Sequence, residues 1–279
     1  MLQFQVDDAR CTRCRLCVRD CPSRIIQQKR AELPFIEPEG EGSCIHCQHC
    51  LAICPSGAIS ILGYRPEDSR PLSAEGLPTL EQMTLLLRGR RSVRQYQDAN
   101  VDPALLQQLL ATLAHAPTGV NHRALTFTVI DDKAVMARFQ HQVMDSLTQA
   151  AAEGRIPDRF SYLRAATEWK YEYGVKLLFR NAPHALIVSA PPDSPCPVQD
   201  IALTLSFFDL LAQSARLGTV WWGMFSMVLA LLPELKAELD LPADHYFYAM
   251  LFGVPAVHYA RTVQRDDTAQ IKRVGTKNA

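Results

Sequence analysis

Eight of the nine cysteines in this chain lie before residue 55, in two runs that repeat at a constant offset of 33 residues. Cys11, Cys14, Cys17 and Cys21 are followed by Pro22; Cys44, Cys47, Cys50 and Cys54 are followed by Pro55. The copies also share Ser23 with Ser56 and Ile26 with Ile59, so the segment is an internal duplication. Thiols spaced this tightly suit metal coordination better than loop closure by disulfides. Residues Met1 to Arg10 show no basic region followed by an apolar run, so a cytoplasmic setting is expected, where disulfides are disfavoured anyway.

A cubane iron-sulfur core needs four thiolates, and a Cys-x2-Cys-x2-Cys run can curl so that three sulfurs converge on three irons. The fourth must come from elsewhere in the chain. Residues 3 to 63 or so resemble the bacterial two-[4Fe-4S] ferredoxin, in which the cysteine before the proline serves the other cluster. That resemblance implies one cluster on Cys11, Cys14, Cys17 and Cys54 and a second on Cys44, Cys47, Cys50 and Cys21. Zinc is the alternative for sets of four thiolates, but zinc modules pair two-cysteine knuckles rather than run three cysteines in series. His46 and His49 stand among complete ligand sets and are read as facing solvent or tuning the nearby cluster. Arg10, Arg13, Arg15 and Arg19 form either a docking face for an acidic donor or a plain solvated surface.

The length, 279 residues, and an apolar share of 48% leave material for a second, larger domain. Lys+Arg and Asp+Glu balance at 29 each, so no global field favours nucleic acid or an anionic membrane. The most apolar stretch, Leu217 to Pro233, is short for a membrane span and carries Gly218 and Gly223. Three prolines and no apolar period mark Tyr64 to Pro78 as a linker. The expected organisation is a cluster domain at 1–63, a linker at 64–78 and a second domain at 79–279.

In the second domain Thr79 and Gln82 offer a capping box to a helix ending near Gly89, and Asp102-Pro103 opens another that closes before Pro117. Strands are expected at Leu125 to Ile130, Ala185 to Val188, Thr219 to Trp222 and Tyr246 to Phe252. Helical text covers Lys133 to Ala152, Arg159 to Phe179, Val198 to Leu217 and the surroundings of Ser226 to Leu239. The class is α+β, with a helix-rich mixed second domain. No glycine-rich dinucleotide fingerprint or P-loop occurs.

Arg88, Arg90, Arg91, Ser92 and Arg94 form a string able to grip a phosphate through guanidinium forks and a hydroxyl. Four separated segments share one pattern: Arg90 to Tyr96, Ala116 to Asn121, Leu217 to Gly223, and Gly253-Val254-Pro255. In order and spacing they resemble the signatures of the nitroreductase family of FMN enzymes. The resemblance implies that Arg90, Arg91, Ser92 and Arg94 hold the FMN phosphate and pyrimidine side, and that Asn121 hydrogen-bonds the ring. It also implies that Trp221, Trp222, Gly223 and Met224 line the other edge and that Arg265 adds a basic contact at the phosphate. A cation near the flavin pyrimidine stabilises the charge gained on reduction. The chain departs from the family at His122 to Leu125, where Gln-Pro-aromatic is common, and at Met224, where a small residue is common. Cys196 lies between two prolines with no adjacent base and is read as a bystander.

The resemblance further implies a homodimer. The expected activity is an electron relay from a ferredoxin, flavodoxin or NAD(P)H donor through two [4Fe-4S] clusters to FMN and on to a nitroaromatic, quinone or similar small-molecule acceptor. Two alternatives stay open: NAD(P)H entry at the flavin with outward flow through the clusters, and a non-catalytic electron-transfer or redox-sensing role.

Overall fold

The computed structural model describes residues 1–168, 171–265 and 269–275. The chain divides into two compact units. The first comprises Met1–Pro78 with two short loops, Pro117–Ala124 and Asp193–Cys196; the second comprises the remaining segments.

The first unit contains β1 (Gln5–Val6), α1 (Leu16–Asp20), β2 (Ile26–Gln27), β3 (Phe35–Ile36), α2 (His49–Ala52) and β4 (Ile59–Ser60). Pairing crosses the duplication: β1 runs antiparallel to β4 and β2 antiparallel to β3. Each repeat therefore lends a strand to the other. The backbone repeats as faithfully as the cysteines. Arg13, Arg15 and Arg24 have φ of 57°, 66° and 54°, and their counterparts His46, Gln48 and Gly57 have 54°, 59° and 60°. Five of these six are not glycine, and a left-handed L-residue costs about 1–2 kcal/mol. The apolar core is slight: Leu2, Ile26, Leu51, Ile59 and Ile61 with Cys17 and Cys50. A core this small needs reinforcement from bound metal. The early linker belongs to the same unit, where Arg10 forms an ion pair with Glu67 and also donates to the Gly57 carbonyl at 3.3 Å.

The second unit opens with α3 (Leu80–Gly89), whose Thr79 and Gln82 form the expected reciprocal capping box. In α4 (Pro103–Thr112) the Asp102 carboxylate accepts from the Leu105 N–H at 2.8 Å. Then follow β5 (Thr126–Ile130), α5 (Lys133–Ala152), α6 (Ser161–Glu168), α7 (Tyr171–Phe179), β6 (His184–Ala190), α8 (Pro197–Ser214), β7 (Gly218–Trp221), α9 (Gly223–Leu231), α10 (Leu235–Glu238) and β8 (Tyr246–Gly253). The strands form one antiparallel sheet in the order β5-β6-β8-β7.

Every residue of β6 is buried, so the sheet is covered on both faces. The pleat sorts its side chains between two cores. Ala185, Ile187, Ala249 and Leu251 face a core built with α5, α6, α7 and α9; Leu186, Val188, Met250 and Phe252 face a second core built with α4 and α8.

Of the expected helical stretch Arg159 to Phe179, the described residues form a 3₁₀ turn at Asp158–Phe160 and the helices α6 and α7; residues 169–170 lie outside the described residues. Gly174 permits a close approach there, since a Cβ would lie 2.5 Å from the Ala166 carbonyl oxygen. The helix expected around Ser226 to Leu239 is broken in two because Pro233 forces Leu232 to φ −124°, ψ 69°. Among the described residues no helix is long and apolar enough to cross a membrane.

His184 lies wholly buried, with its Nε2 accepting from the Val101 N–H at 3.0 Å. Burial lowers its pKa from the model-peptide value of 6.5, so below that pH the unfolded chain takes up a proton that the folded chain resists. The resulting contribution is complete above about pH 6.5 and diminishes as pH falls toward the lower folded value. Urea titrations at pH 7 and pH 5.5 are expected to show a drop in stability that a His184→Gln variant lessens. His184→Leu leaves the Val101 N–H unpaired and is expected to cost about 1–3 kcal/mol at pH 7.

Candidate functional site

The eight cysteine sulfurs, none of them in a disulfide, are arranged around two hollows. Cys11, Cys14, Cys17 and Cys54 line one; Cys21, Cys44, Cys47 and Cys50 line the other. Each hollow thus receives three sulfurs from one repeat and one from its partner. Pro34, Ala58 and Ile59 cover the first and Ile25, Ile26, Ile36 and Ile61 the second. Burial pushes the Cys17 thiol up to about 11 and the Cys50 thiol up to about 12, while backbone N–H groups of Val18 and Leu51 pull the other way. Burial likewise raises Cys44 against a hydrogen bond from the His46 N–H. Cys14 is lowered instead, by the Leu16 N–H and the Thr12 hydroxyl. The left-handed loop positions thus aim amides at sulfur, which stabilises thiolates and metal-bound sulfides alike. The Ala58 N–H donates to Cys54 Sγ at 3.2 Å.

Among the described residues no group of three or more His, Cys, Asp or Glu side chains is arranged to hold a single metal ion. Four sulfurs around each hollow, with amides directed at them, fit the multi-iron core of a cluster. His49 lines the second hollow and pairs through Nδ1 with Asp20 Oδ2 at 3.1 Å.

In the second unit three of the four flavin-type motifs come together at β7. The Val93 N–H donates to the Thr219 carbonyl at 2.9 Å, and Ser92 bridges to Thr219 in parallel fashion. Farther along, the Gln97 N–H donates to Val254 O at 2.8 Å and the Ala256 N–H to Gln95 O at 2.9 Å. Two glycines make the convergence possible. A Cβ on Gly218 would lie 2.6 Å from the Val93 side chain, and one on Gly253 would lie 2.7 Å from Pro183 and 3.2 Å from Tyr96.

The arginine string is partly anchored. Arg90 Nη1 stands 3.3 Å from Asp209 Oδ2, and the other carboxylate oxygen accepts from the Thr219 hydroxyl. Five guanidinium donors leave Arg90 with capacity for a ligand. Arg91 donates through Nη2 to the Arg88 carbonyl, while its Nε is buried with no hydrogen-bond partner. A buried cationic donor left open is what an anionic group would satisfy. Arg94 Nη1 reaches the Ser92 carbonyl at 3.3 Å, and the Tyr259 hydroxyl lies 3.5 Å from the same carbonyl. Asp209, in Phe208-Asp209-Leu210, escaped the sequence reading; a buried carboxylate within an apolar helical run was the available signal.

The tryptophans separate. Trp222 is buried, donates through Nε1 to Leu178 O at 2.8 Å and stacks on Phe225 at 4.3 Å. Its side chain thus serves the core. Trp221 is half-buried beside Tyr248, with ring centroids 5.5 Å apart. Gly223 sits under the Tyr248 hydroxyl, which a Cβ would approach to 2.8 Å. Met224 packs at the margin of the larger core, and Arg265 is exposed in irregular chain.

Asn121 belongs to the first compact unit. Its side-chain Nδ2 donates to the Ile45 carbonyl at 2.8 Å, between Cys44 and Cys47. His122 and Arg123 follow it, with the Arg123 N–H donating to Thr118 Oγ1 at 3.1 Å. Cys196 packs on the same loop, its Sγ 3.0 Å from where a Gly119 Cβ would stand.

The family model described as the nitroreductase family matches residues 87–254, and one described as a 4Fe-4S dicluster domain matches residues 10–59. Among curated proteins, a 4-nitrobenzoate reductase from Nocardioides sp. is 33% identical over 110 residues, covering 39% of this chain and 42% of that protein. An uncharacterized protein from Methanocaldococcus jannaschii is 30% identical over 64 residues, 23% of each chain. The chain therefore matches less than half the length of these relatives. Among solved structures, a nitroreductase with bound FMN from Bacteroides fragilis aligns with TM-score 0.57 and 19% identity over 70% of this chain and 99% of that one. One from Desulfitobacterium hafniense, also with bound FMN, gives TM-score 0.53 and 22% identity over 69% and 97%. At these identities the likeness is one of fold.

The Gly218 contact yields a direct check. Gly218→Ala must displace Val93 or the strand and is expected to destabilise the protein by about 1–3 kcal/mol in denaturant unfolding. Gly42→Ala, at a position where a Cβ meets nothing within 4 Å, serves as the control.

Proposed function

The chain belongs to the nitroreductase family and carries a 4Fe-4S dicluster domain ahead of it, and on that premise we propose that it relays electrons through two [4Fe-4S] clusters to FMN and onward to a conjugated small-molecule acceptor. The observation that carries this reading is the pair of four-sulfur hollows, each completed by the other repeat, on one chain with the reductase fold.

Cys11, Cys14, Cys17 and Cys54 are assigned to one cluster and Cys21, Cys44, Cys47 and Cys50 to the other. Arg90, Arg91, Ser92 and Arg94 are assigned to the FMN phosphate and pyrimidine side, with Arg265 as a further cation and Asn121 at the ring. Trp221, Gly223 and Met224 are assigned to the other edge, and Trp222 supports them from the core. When bound, clusters handle single electrons while FMN handles pairs, so the flavin converts between one-electron supply and two-electron reduction.

The protein's own part is to hold and orient. Asp209 fixes the Arg90 fork, and the open Arg91 Nε offers a donor to an anion. Cations beside the flavin favour its reduced, negatively charged form. The domain reading is clusters at 1–63, linker at 64–78 and reductase at 79–279, with a homodimer as the working assembly and the cytoplasm as its compartment. A reduced ferredoxin or flavodoxin is the favoured donor, since a chain that feeds its flavin from NAD(P)H has no need of clusters on the inward path.

Anaerobic purification is expected to give about eight irons and one FMN per chain, with reduced ferredoxin bleaching both chromophores. Rapid bleaching of the flavin by NADH or NADPH would reverse the proposed direction, and iron without flavin would overturn the reductase reading. Arg90→Ala with Arg94→Ala is expected to deplete FMN while leaving iron intact. Cys54→Ser is expected to disturb the cluster of Cys11, Cys14 and Cys17 rather than that of its neighbours Cys47 and Cys50, as read by iron content and electron paramagnetic resonance.

A further inference from the structure

The two repeats share a frame but differ in charge around their hollows. Residues 10–30 hold seven Lys and Arg against one acid, Asp20, whereas the equivalent stretch 33 positions on, residues 43–63, holds no Lys, Arg, Asp or Glu. The lip of the first hollow is Thr12, Arg13, Cys14 and Arg15, four exposed residues in succession. In the second repeat Ile45, Cys47 and Gln48 are half-buried and His46 alone is exposed. Asn121 Nδ2 also donates to the Ile45 carbonyl at 2.8 Å, so the second lip is partly covered. Of the nine cysteines, all of them described, only Cys14 is exposed.

The cations near that lip fall into two groups. Arg10 pairs with Asp7 and Glu67, and Arg13 with Asp8. Arg15 and Arg19 have no carboxylate partner among the described residues, and Arg19 is held in place by donating from Nη2 to the Cys14 carbonyl at 3.3 Å. Arg13 Nε donates to the Ala31 carbonyl at 3.0 Å, which draws in the exposed turn carrying Lys29 and Arg30, with Glu32 as its acid. Exposed charges without partners contribute little to folding, and like charges gathered together repel. Their concentration around the one exposed sulfur is what an incoming negative surface would use.

Resting on the electron relay read above, we propose that this cationic rim is the docking face for an acidic ferredoxin, seated against Cys14, so that electrons enter at the cluster of Cys11, Cys14, Cys17 and Cys54. One electron leaves the carrier's reduced cluster, oxidising it by one, and reduces the receiving cluster by one. No bond forms or breaks and no proton moves. Opposite charge steers the encounter, and because electron-transfer contacts are small and transient, a few arginines around one sulfur are enough to define the face.

The test uses the full chain with its cofactors, a purified acidic ferredoxin as the probe, and the double variant Arg15→Glu with Arg19→Glu. Arg65→Glu with Arg70→Glu makes the same change in net charge at two exposed arginines of the first unit that line neither hollow, and serves as the control. Calorimetric titration at low salt is expected to show ferredoxin binding weakened about tenfold or more by the lip variant and little by the control. Stopped-flow reduction of the clusters by reduced ferredoxin slows in proportion, while dithionite, which needs no docking face, reduces every variant at the wild-type rate. Wild-type binding is expected to weaken between about 20 and about 300 mM salt, and the lip variant to lose most of that dependence. Should the reversed pair lose iron, Arg15→Gln with Arg19→Gln decides, with a smaller loss expected. Equal effects of lip and control variants, salt-independent binding, or binding of an acidic flavodoxin but not of ferredoxin would each overturn the assignment. Ferredoxin that fails to bind a wild-type chain carrying eight irons and FMN overturns the docking face and leaves the relay standing. A chain without FMN that still binds ferredoxin through the lip supports the docking face and defeats the relay.

Discussion

The sulfurs of Cys21 and Cys54 close each hollow from the opposite repeat, and the architecture of the first unit follows from that exchange. Neither repeat can complete a four-sulfur set alone. The two-residue strands are crossed in the same sense, β1 with β4 and β2 with β3, so backbone pairing and sulfur exchange reinforce one another. Such strands have little stability in isolation, and a core of a few isoleucines and leucines adds modestly. Bound metal would supply the reinforcement that such strands and such a core lack.

The second unit obeys a different economy. Its sheet is buried on both faces, and alternate residues of β6 and β8 feed two separate cores. That rigid layer fixes the edge along which Arg90 to Tyr96 and the segment after Gly253 run. The arginines therefore stand on a strand-like ledge secured by Thr219, Val254 and Asp209 rather than on a free loop.

Much of this was legible in the residues themselves. Capping chemistry at Thr79 and Asp102 located helices because those side chains satisfy amides a few positions away. The break at Pro233 followed from local sterics too, yet its consequence for two helices was missed because apolar periodicity continues across it. What stayed hidden was long-range. Asn121 and Ile45 stand 76 positions apart and no local pattern joins them. Asp209 looked like one polar residue in an apolar run until the fold set it against Arg90 and Thr219. The Trp221-Trp222 pair reads as a single aromatic feature, whereas the end of β7 sends one ring to each side.

The left-handed backbone positions of the two repeats are filled by Arg13, Arg15 and Arg24 in one and His46, Gln48 and Gly57 in the other. Geometry is shared at these places while chemistry is not. What is inherited there is the direction of an amide, and the side chain is a free variable. After duplication the two halves could diverge in surface character, one cationic and one nearly neutral, without disturbing the inner frame. An originally symmetric module thereby acquires a polarity in its surface chemistry.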